Sequence, residues 1–277
     1  MTSASPALLS VVVPSFNQGR WLDACLASLF AQEDDALEVI VVDGGSTDGT
    51  PGILERWRPR LAGCVVGEDS GQADAIGIGF ARARGELLAW LNSDDLHLPW
   101  TIRRWRDAFE RDSALGFVHG DRVVVDADGR VSGRRALPGH SARWLNLFPW
   151  THQETACWRR GLYESVGGID RSLRFAMDYD LFSRMLVAGR GAHLRGPLAA
   201  FRWHPASKTA TESATTGAAE VAEVRRRRAI PALPRLHPMR IAMAGAVRLA
   251  TRVGATDAGW PGWSALRTGA QVAECVG

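Results

Sequence analysis

Apolar and polar positions come in blocks along the first third of the chain. Leu8 to Val13 is an unbroken apolar, β-branched run that halts at Pro14, which predicts a buried strand. From Trp21 to Ala31 the apolar residues Trp21, Leu22, Cys25, Leu26, Leu29 and Phe30 fall at helical spacing. Leu37 to Val42 is a second buried strand, stopping on Asp43. Gly44 to Thr50 is a loop of turn formers. Thr50 then reads as the N-cap, and Pro51 as the first position, of a helix to Trp57. Ala62 to Val66 predicts a third strand. Gln72 to Arg84 predicts a helix weakened by Gly77 and Gly79, and Leu87 to Leu91 a fourth strand.

Strand and helix thus alternate as in βαβ units on a parallel sheet. Right-handed crossovers bring the four strand ends to one edge. Those ends carry Pro14-Ser15-Phe16-Asn17, Asp43-Gly44-Gly45, Glu68-Asp69 and Asn92-Ser93-Asp94-Asp95. A core does not require polar residues there, but a substrate site does.

The second half is less regular. Helices are expected at Ile102–Phe109, Leu162–Val166 and Asp180–Ala188, the last closed by a glycine C-cap at Gly189. Strands are expected at Gly116–Val125 and Leu198–Trp203, with a hairpin turn at Asp126–Gly129. From Ala206 the composition shifts. A main domain is therefore expected over 1–208, with a nucleotide-binding half at about 8–95 and an acceptor and catalytic half at about 96–208. A helical or partly disordered appendage covers 209–277. Arg225 to Arg228 and the apolar Met239–Val253 suggest either a cover over the acceptor side or a basic surface for an anionic membrane.

Composition narrows the class. The formal net charge of the 277 residues is +3, too small for the basic field of a nucleic-acid binder. Lys208 is the lone lysine. Cys25, Cys64, Cys157 and Cys275 are too far apart for a zinc knuckle or redox pair and read as reduced thiols of a cytosolic protein. No signal peptide and no stretch of eighteen apolar residues is visible, so a cytoplasmic or peripheral membrane location is expected.

The most informative stretch is Glu86 to Asp95, an apolar strand ending on two adjacent carboxylates. Such acids repel each other and resist desolvation. A divalent cation would relieve both penalties, and ligands of open α/β sheets bind at the carboxyl ends of strands. The other reading is a solvated turn in which Asp95 caps the next helix.

In order, the motifs are Ser10 to Asn17, Val39 to Thr50, Glu68 to Ala75, Leu91 to Asp95, His152-Gln153-Glu154-Thr155, Phe175 to Leu181, and Arg202-Trp203-His204-Pro205. Together they resemble a family-two glycosyltransferase with the GT-A fold, an α/β architecture whose mostly parallel central sheet is flanked by helices. The resemblance implies an inverting, metal-assisted transfer from a nucleotide sugar, UDP-linked by expectation, to a hydroxyl of a glycan or lipid-linked saccharide. It assigns Pro14, Phe16, Asn17, Asp43, Gln72 and Asp74 to the uridine side. Asp94 goes to the donor or the metal, and Asp95 and His204 to magnesium or manganese. Asp178 matches the general base, with Asp180 the structural alternative. Asn92 stands where relatives often carry an acid and is not counted as a ligand. Lys208 could neutralise the diphosphate. The region around His152, with Trp144, Trp150 and Trp158, resembles the acceptor side. Relatives usually place polar or basic residues near Gly77 and Ile78. A catalytically inactive nucleotide- or glycan-binding domain is the rival from another class. A nucleotidyltransferase would show a Gly-rich phosphate loop where this chain has Pro14 to Gly19.

Overall fold

The chain opens with β1 (Leu9–Ser15), α1 (Leu22–Phe30), β2 (Leu37–Asp43), α2 (Thr50–Trp57), β3 (Gly63–Val66), α3 (Gln72–Arg82) and β4 (Leu87–Trp90). Next come β5 (Leu96–His97), α4 (Thr101–Arg111), β6 (Leu115–Val125), β7 (Val131–Arg135), β8 (Cys157–Arg159), α5 (Arg160–Ser165), α6 (Met177–Ala188) and β9 (Arg190–Arg202). Three helices follow: α7 (Lys208–Glu212), α8 (Thr216–Arg227) and α9 (Pro238–Gly254). This is a computed structural model, and it describes residues 8–137, 139–141, 145, 147, 151–232, 238–254 and 272.

The strands form one sheet in the order β3-β2-β1-β4-β8-β6-β9-β5, with β7 on β6. From β3 to β4 every pairing is parallel. The β6–β9 pair is also parallel, while the remaining pairs are antiparallel.

Successive residues of the parallel strands feed opposite faces. Val12, Ile40, Leu88 and Trp90 pack beneath α3 and α6; Val11, Val13, Val39 and Val41 pack against α1, α2 and α4. Burial on both faces is why these strands are unbroken apolar runs. Under α6, Trp90, Trp158, Phe80 and Phe182 meet with ring centroids 5.5–6.2 Å apart. Such pairs add roughly 0.5–1.5 kcal/mol each beyond area burial. Gly79 lets α3 approach β1, since a Cβ there would come within 2.3 Å of Val12.

Several expectations need correction. Gly49, not Thr50, is the N-cap of α2; Asp48 Oδ1 accepts the Thr50 N–H at 2.9 Å, and Thr50 is already helical. The sixth helix starts at Met177, three residues before the expected Asp180, because Ala176 offers its carbonyl to Asp180 N. Gly189 ends that helix in an extended conformation (φ −136°, ψ 162°) rather than a left-handed cap. The chain enters β9 at once, and a Cβ at Gly189 would meet Leu162 at 2.8 Å. That strand starts eight residues earlier than expected. Its first half is irregular, with Gly196 at φ 90° and register shifts opposite Gly120 and Asp121.

Trp158 is fully buried core and not an acceptor surface; Trp144 and Trp150 lie outside the described residues. The basic run Arg225–Arg228 is ion-paired and hydrogen-bonded, with Arg226, Arg227 and Arg228 exposed. Arg225 donates to Leu147 O, Arg226 and Arg227 bind Glu223, and Arg228 reaches Asp180. Val224 of α8 is buried in the same core as α6.

Candidate active site

The carboxyl ends of β1, β2 and β4 converge as the topology requires. Pro14 is buried in β1 opposite Val42, so it shapes the strand end and presents no face to a ligand. Phe16, one step beyond, is 61% exposed. Asn17 adopts φ 53° and ties two loops together: its N–H donates to Ser46 Oγ and its Oδ1 accepts Thr47 N–H. Asp43 is fully buried, and its two oxygens accept the Ser46 hydroxyl (2.6 Å) and N–H (2.9 Å). It therefore builds the loop in this structure. Asp69, not assigned from the sequence, lies closer to the opening: a Cβ on Gly44 would meet Asp69 Oδ2 at 2.9 Å and Phe16 at 3.3 Å. Burial raises the Asp69 carboxyl above its ordinary range, as do the Asp74 and Asp43 charges.

At the start of α3, Asp74 pairs with Arg171 at 3.1 Å and accepts Ser70 N–H. The Arg171 guanidinium crosses the helix over Gly77, where a Cβ would lie 2.4 Å from Nε. A cation from the loop before α6 thus covers the glycine on the helix. Gln72 reaches inward. Its Oε1 accepts Lys208 Nζ at 2.8 Å, and its Nε2 donates at 2.8 Å to Asn92 Oδ1. Asn92 in turn directs Nδ2 toward Asp95 Oδ2 at 3.4 Å.

Asp95 is 1% exposed and does not cap α4, which begins at Thr101. Its Oδ1 accepts the Arg202 backbone N–H at 2.8 Å. Burial pushes its carboxyl well above the ordinary value, and the Asp94 and Glu154 charges add to the shift. Asp94 Oδ2 lies 3.2 Å from His204 Nε2. Among the described residues no three His, Cys, Asp or Glu side chains already form a closed cation cage. The donor set still fits a hard divalent cation. Magnesium-type ions commonly take one or two carboxylates and complete their shell with water and substrate phosphates. Buried Asp95 also carries a charge penalty that a cation would relieve.

On the other side, Asp178 opens onto a small cavity lined by Leu145, Thr151, Phe182, Ser183 and Leu186. Burial is the main reason its carboxyl is pushed up to about 6; the Glu154 charge adds, while the Tyr179 N–H opposes. Asp180 is fully buried and gripped by Arg184 at 2.6 Å and Arg228 at 2.9 Å. The two guanidinium groups commit Asp180 to the fold, whereas Asp178 lines the cavity. The motif at His152 divides likewise. His152 Nδ1 contacts Gly120 O and Gln153 Nε2 donates to Trp90 O, so both brace backbone. Glu154 meets Arg122 Nη1 at 3.1 Å, and both charges act on Asp95 and Asp178. No periodicity pointed to Arg122; Glu154 sat inside a quoted motif without a role.

A parallel nucleotide-type half ending in paired carboxylates, joined to a mixed half that supplies a separate acid, defines a GT-A transferase architecture. The chain belongs to glycosyl transferase family 2, whose profile matches residues 10–166. The PGL/p-HBAD biosynthesis glycosyltransferase of Mycobacterium bovis is 29% identical over 195 residues, covering 68% of this chain and 74% of that protein. The fold is similar to that of TarS from S. aureus, solved with UDP-GlcNAc: TM-score 0.66, 20% identity, 80% of this chain and 66% of that one. It is also similar to a mannosyltransferase from Pyrobaculum calidifontis solved with GDP-Man and Mn2+: TM-score 0.61, 21% identity, 95% and 81% coverage. The chain spans 41% of the length of another curated relative.

Proposed function

We propose that this protein is an inverting glycosyltransferase that moves a sugar from a UDP-linked donor to a hydroxyl of a glycan or lipid-linked saccharide. The observation that carries this reading is the contrast between Asp178, exchangeable and raised to about 6, and Asp180, locked by two guanidinium groups. Asp178 takes the proton of the acceptor hydroxyl as that oxygen forms a bond to the anomeric carbon. The bond from that carbon to the diphosphate breaks, and the configuration inverts because one displacement occurs. General bases of this kind supply about 10²–10⁴ in rate.

Asp94, Asp95 and His204 are the residues that would hold magnesium or manganese. When bound, the ion neutralises charge on the leaving diphosphate. The solved mannosyltransferase with Mn2+ and TarS with UDP-GlcNAc support this reading by fold. Phe16 and Asp69 flank the slot proposed for the base, with Asp43 and Asn17 holding its loops and Gln72 and Asp74 its lower edge. Lys208 stands beside Gln72 as the cation for the diphosphate.

The catalytic unit runs to about 208, and α8 covers the acceptor side as an appendage. No helix among the described residues is long and apolar enough to cross a membrane. Contact with an anionic membrane, in this reading, falls to α9, where Ile241, Leu249 and Arg248 are exposed. The test is thermal. UDP should raise the melting temperature only with Mg2+ or Mn2+ present; an equal shift in EDTA would remove the metal from the reading.

A further inference from the structure

The turn joining β6 and β7 reaches across the molecule to the candidate cation site. The Ala127 carbonyl at its tip accepts two hydrogen bonds, from Trp21 Nε1 at 3.0 Å and from Arg202 Nη1 at 3.2 Å. Each arm ends at the acidic pair. Arg202 donates through Nε to Asp94 O at 2.8 Å, and through its backbone N–H to Asp95 Oδ1 at 2.8 Å. The Trp21 ring lies against the His204 imidazole, with centroids 4.1 Å apart and planes inclined by 36°. His204 is 3% exposed, and its Nε2 points at Asp94 Oδ2. An ion pair of Arg20 with Asp128 at 2.9 Å fastens the same tip to the loop that carries Trp21.

A buried imidazole is held by what touches its faces and by the bonds its nitrogens make. Here one face is set by Trp21, and the indole is itself pinned by its only donor. We propose that Trp21 is a positioning residue: it fixes the His204 ring so that Nε2 and the Asp94 carboxylate face one cation. The hairpin tip is the brace from which Trp21 and Arg202 hang. This rests on the reading of His204 and Asp95 as the ligands of a divalent ion. It adds a residue that touches neither donor nor acceptor, from a segment whose apolar spacing reads only as helix core.

Residues that orient a metal-binding histidine typically change metal affinity by about 10–100-fold when removed. The experiment titrates Mn2+ into the full chain with UDP present and follows free Mn2+ by electron paramagnetic resonance. His204→Ala, Trp21→Ala and Trp21→Phe are compared with wild type, and the melting temperature of the metal-free protein in EDTA serves as the control for folding. Trp21→Ala should weaken Mn2+ by about tenfold while the metal-free protein still unfolds in one cooperative transition. Trp21→Phe, which keeps a ring but loses the N–H, should fall between it and wild type. If His204→Ala weakens Mn2+ while both Trp21 variants stay within about twofold of wild type, less than a positioning residue costs, the brace is wrong and the ligand assignment stands. If His204→Ala itself leaves Mn2+ binding unchanged, the ligand assignment fails and the brace falls with it. A large fall in the metal-free melting temperature for Trp21→Phe, which preserves bulk, would make Trp21 a general structural residue and overturn the proposal.

Discussion

Two buried acidic segments have the Glu154–Arg122 pair as a common neighbour, and they are built differently. At the start of α6, Asp180 is buried with two arginines against its oxygens, so its charge is fully answered by the protein. At the end of β4, Asp95 is equally buried but has the carboxylates of Asp94 and Glu154 as neighbours. Its bonds come from a backbone N–H and a long amide contact. A buried charge that the chain neutralises belongs to the fold. One that it leaves exposed to like charges is prepared for something the chain does not supply.

The strongest test of this contrast is on α6. Asp178→Asn should keep UDP binding and lower sugar transfer by about 10²–10⁴, measured as UDP release; retained turnover would move the base elsewhere. Asp180→Ala should do the reverse. It strands Arg184 and Arg228 and should cost about 3–5 kcal/mol of stability in urea unfolding, with transfer per folded molecule little changed.

Asp95→Asn is expected to separate the two segments further. Its folded-state carboxyl is raised, so the native state holds a proton that the unfolded state loses as pH climbs above the ordinary carboxylate range. Wild-type stability therefore falls as pH rises through that window and stays lower above it. Without metal at neutral pH the Asn variant should be the more stable of the two in urea unfolding. It should also lose the metal-dependent shift with UDP. The sign inverts for Asp180, whose replacement destabilises.

Rate against pH sharpens the picture. Transfer needs Asp178 deprotonated, so kcat/KM should rise with pH through about 6 and level above it. A limb that stays near the ordinary carboxylate value would place the base in a wetter setting. The smallest effect is expected for Lys208→Met, which removes the bonds to Gln72 and to the Arg174 carbonyl. Donor KM should rise roughly three- to tenfold, in line with a net hydrogen bond of about 0.5–1.5 kcal/mol, while kcat changes little.

The donor half was legible because each of its strands is buried on both faces and stops on polar residues, which leaves a sequence pattern at every edge. The acids at Asp94 and Asp95 were visible for the same reason. Residues 96–208 were read less well. Here β9 pairs β6 through bulges and glycines, so alternation is broken between Arg190 and Pro197. Which oxygen of which acid is answered depends on distant partners, 107 positions away for the Arg202 N–H on Asp95 and 110 for His204 beside Asp94. No local pattern encodes that. Asp43 shows the limit within the readable half: its place at a strand end was evident, but its commitment to Ser46 was not. Asp69 and Trp21 were hidden in patterns that a loop and a helix explain equally well.

The crossing of Arg171 over Gly77 has a consequence for substitution. A side chain at 77 and the guanidinium above it cannot occupy the same space, so a change at one position alters what the other can hold. A side chain at 77 displaces the guanidinium from its place beside Asp74; removing Arg171 leaves Asp74 with the Ser70 N–H. The two sites are coupled by exclusion. Variants at 77 and 171 should be made and judged as pairs.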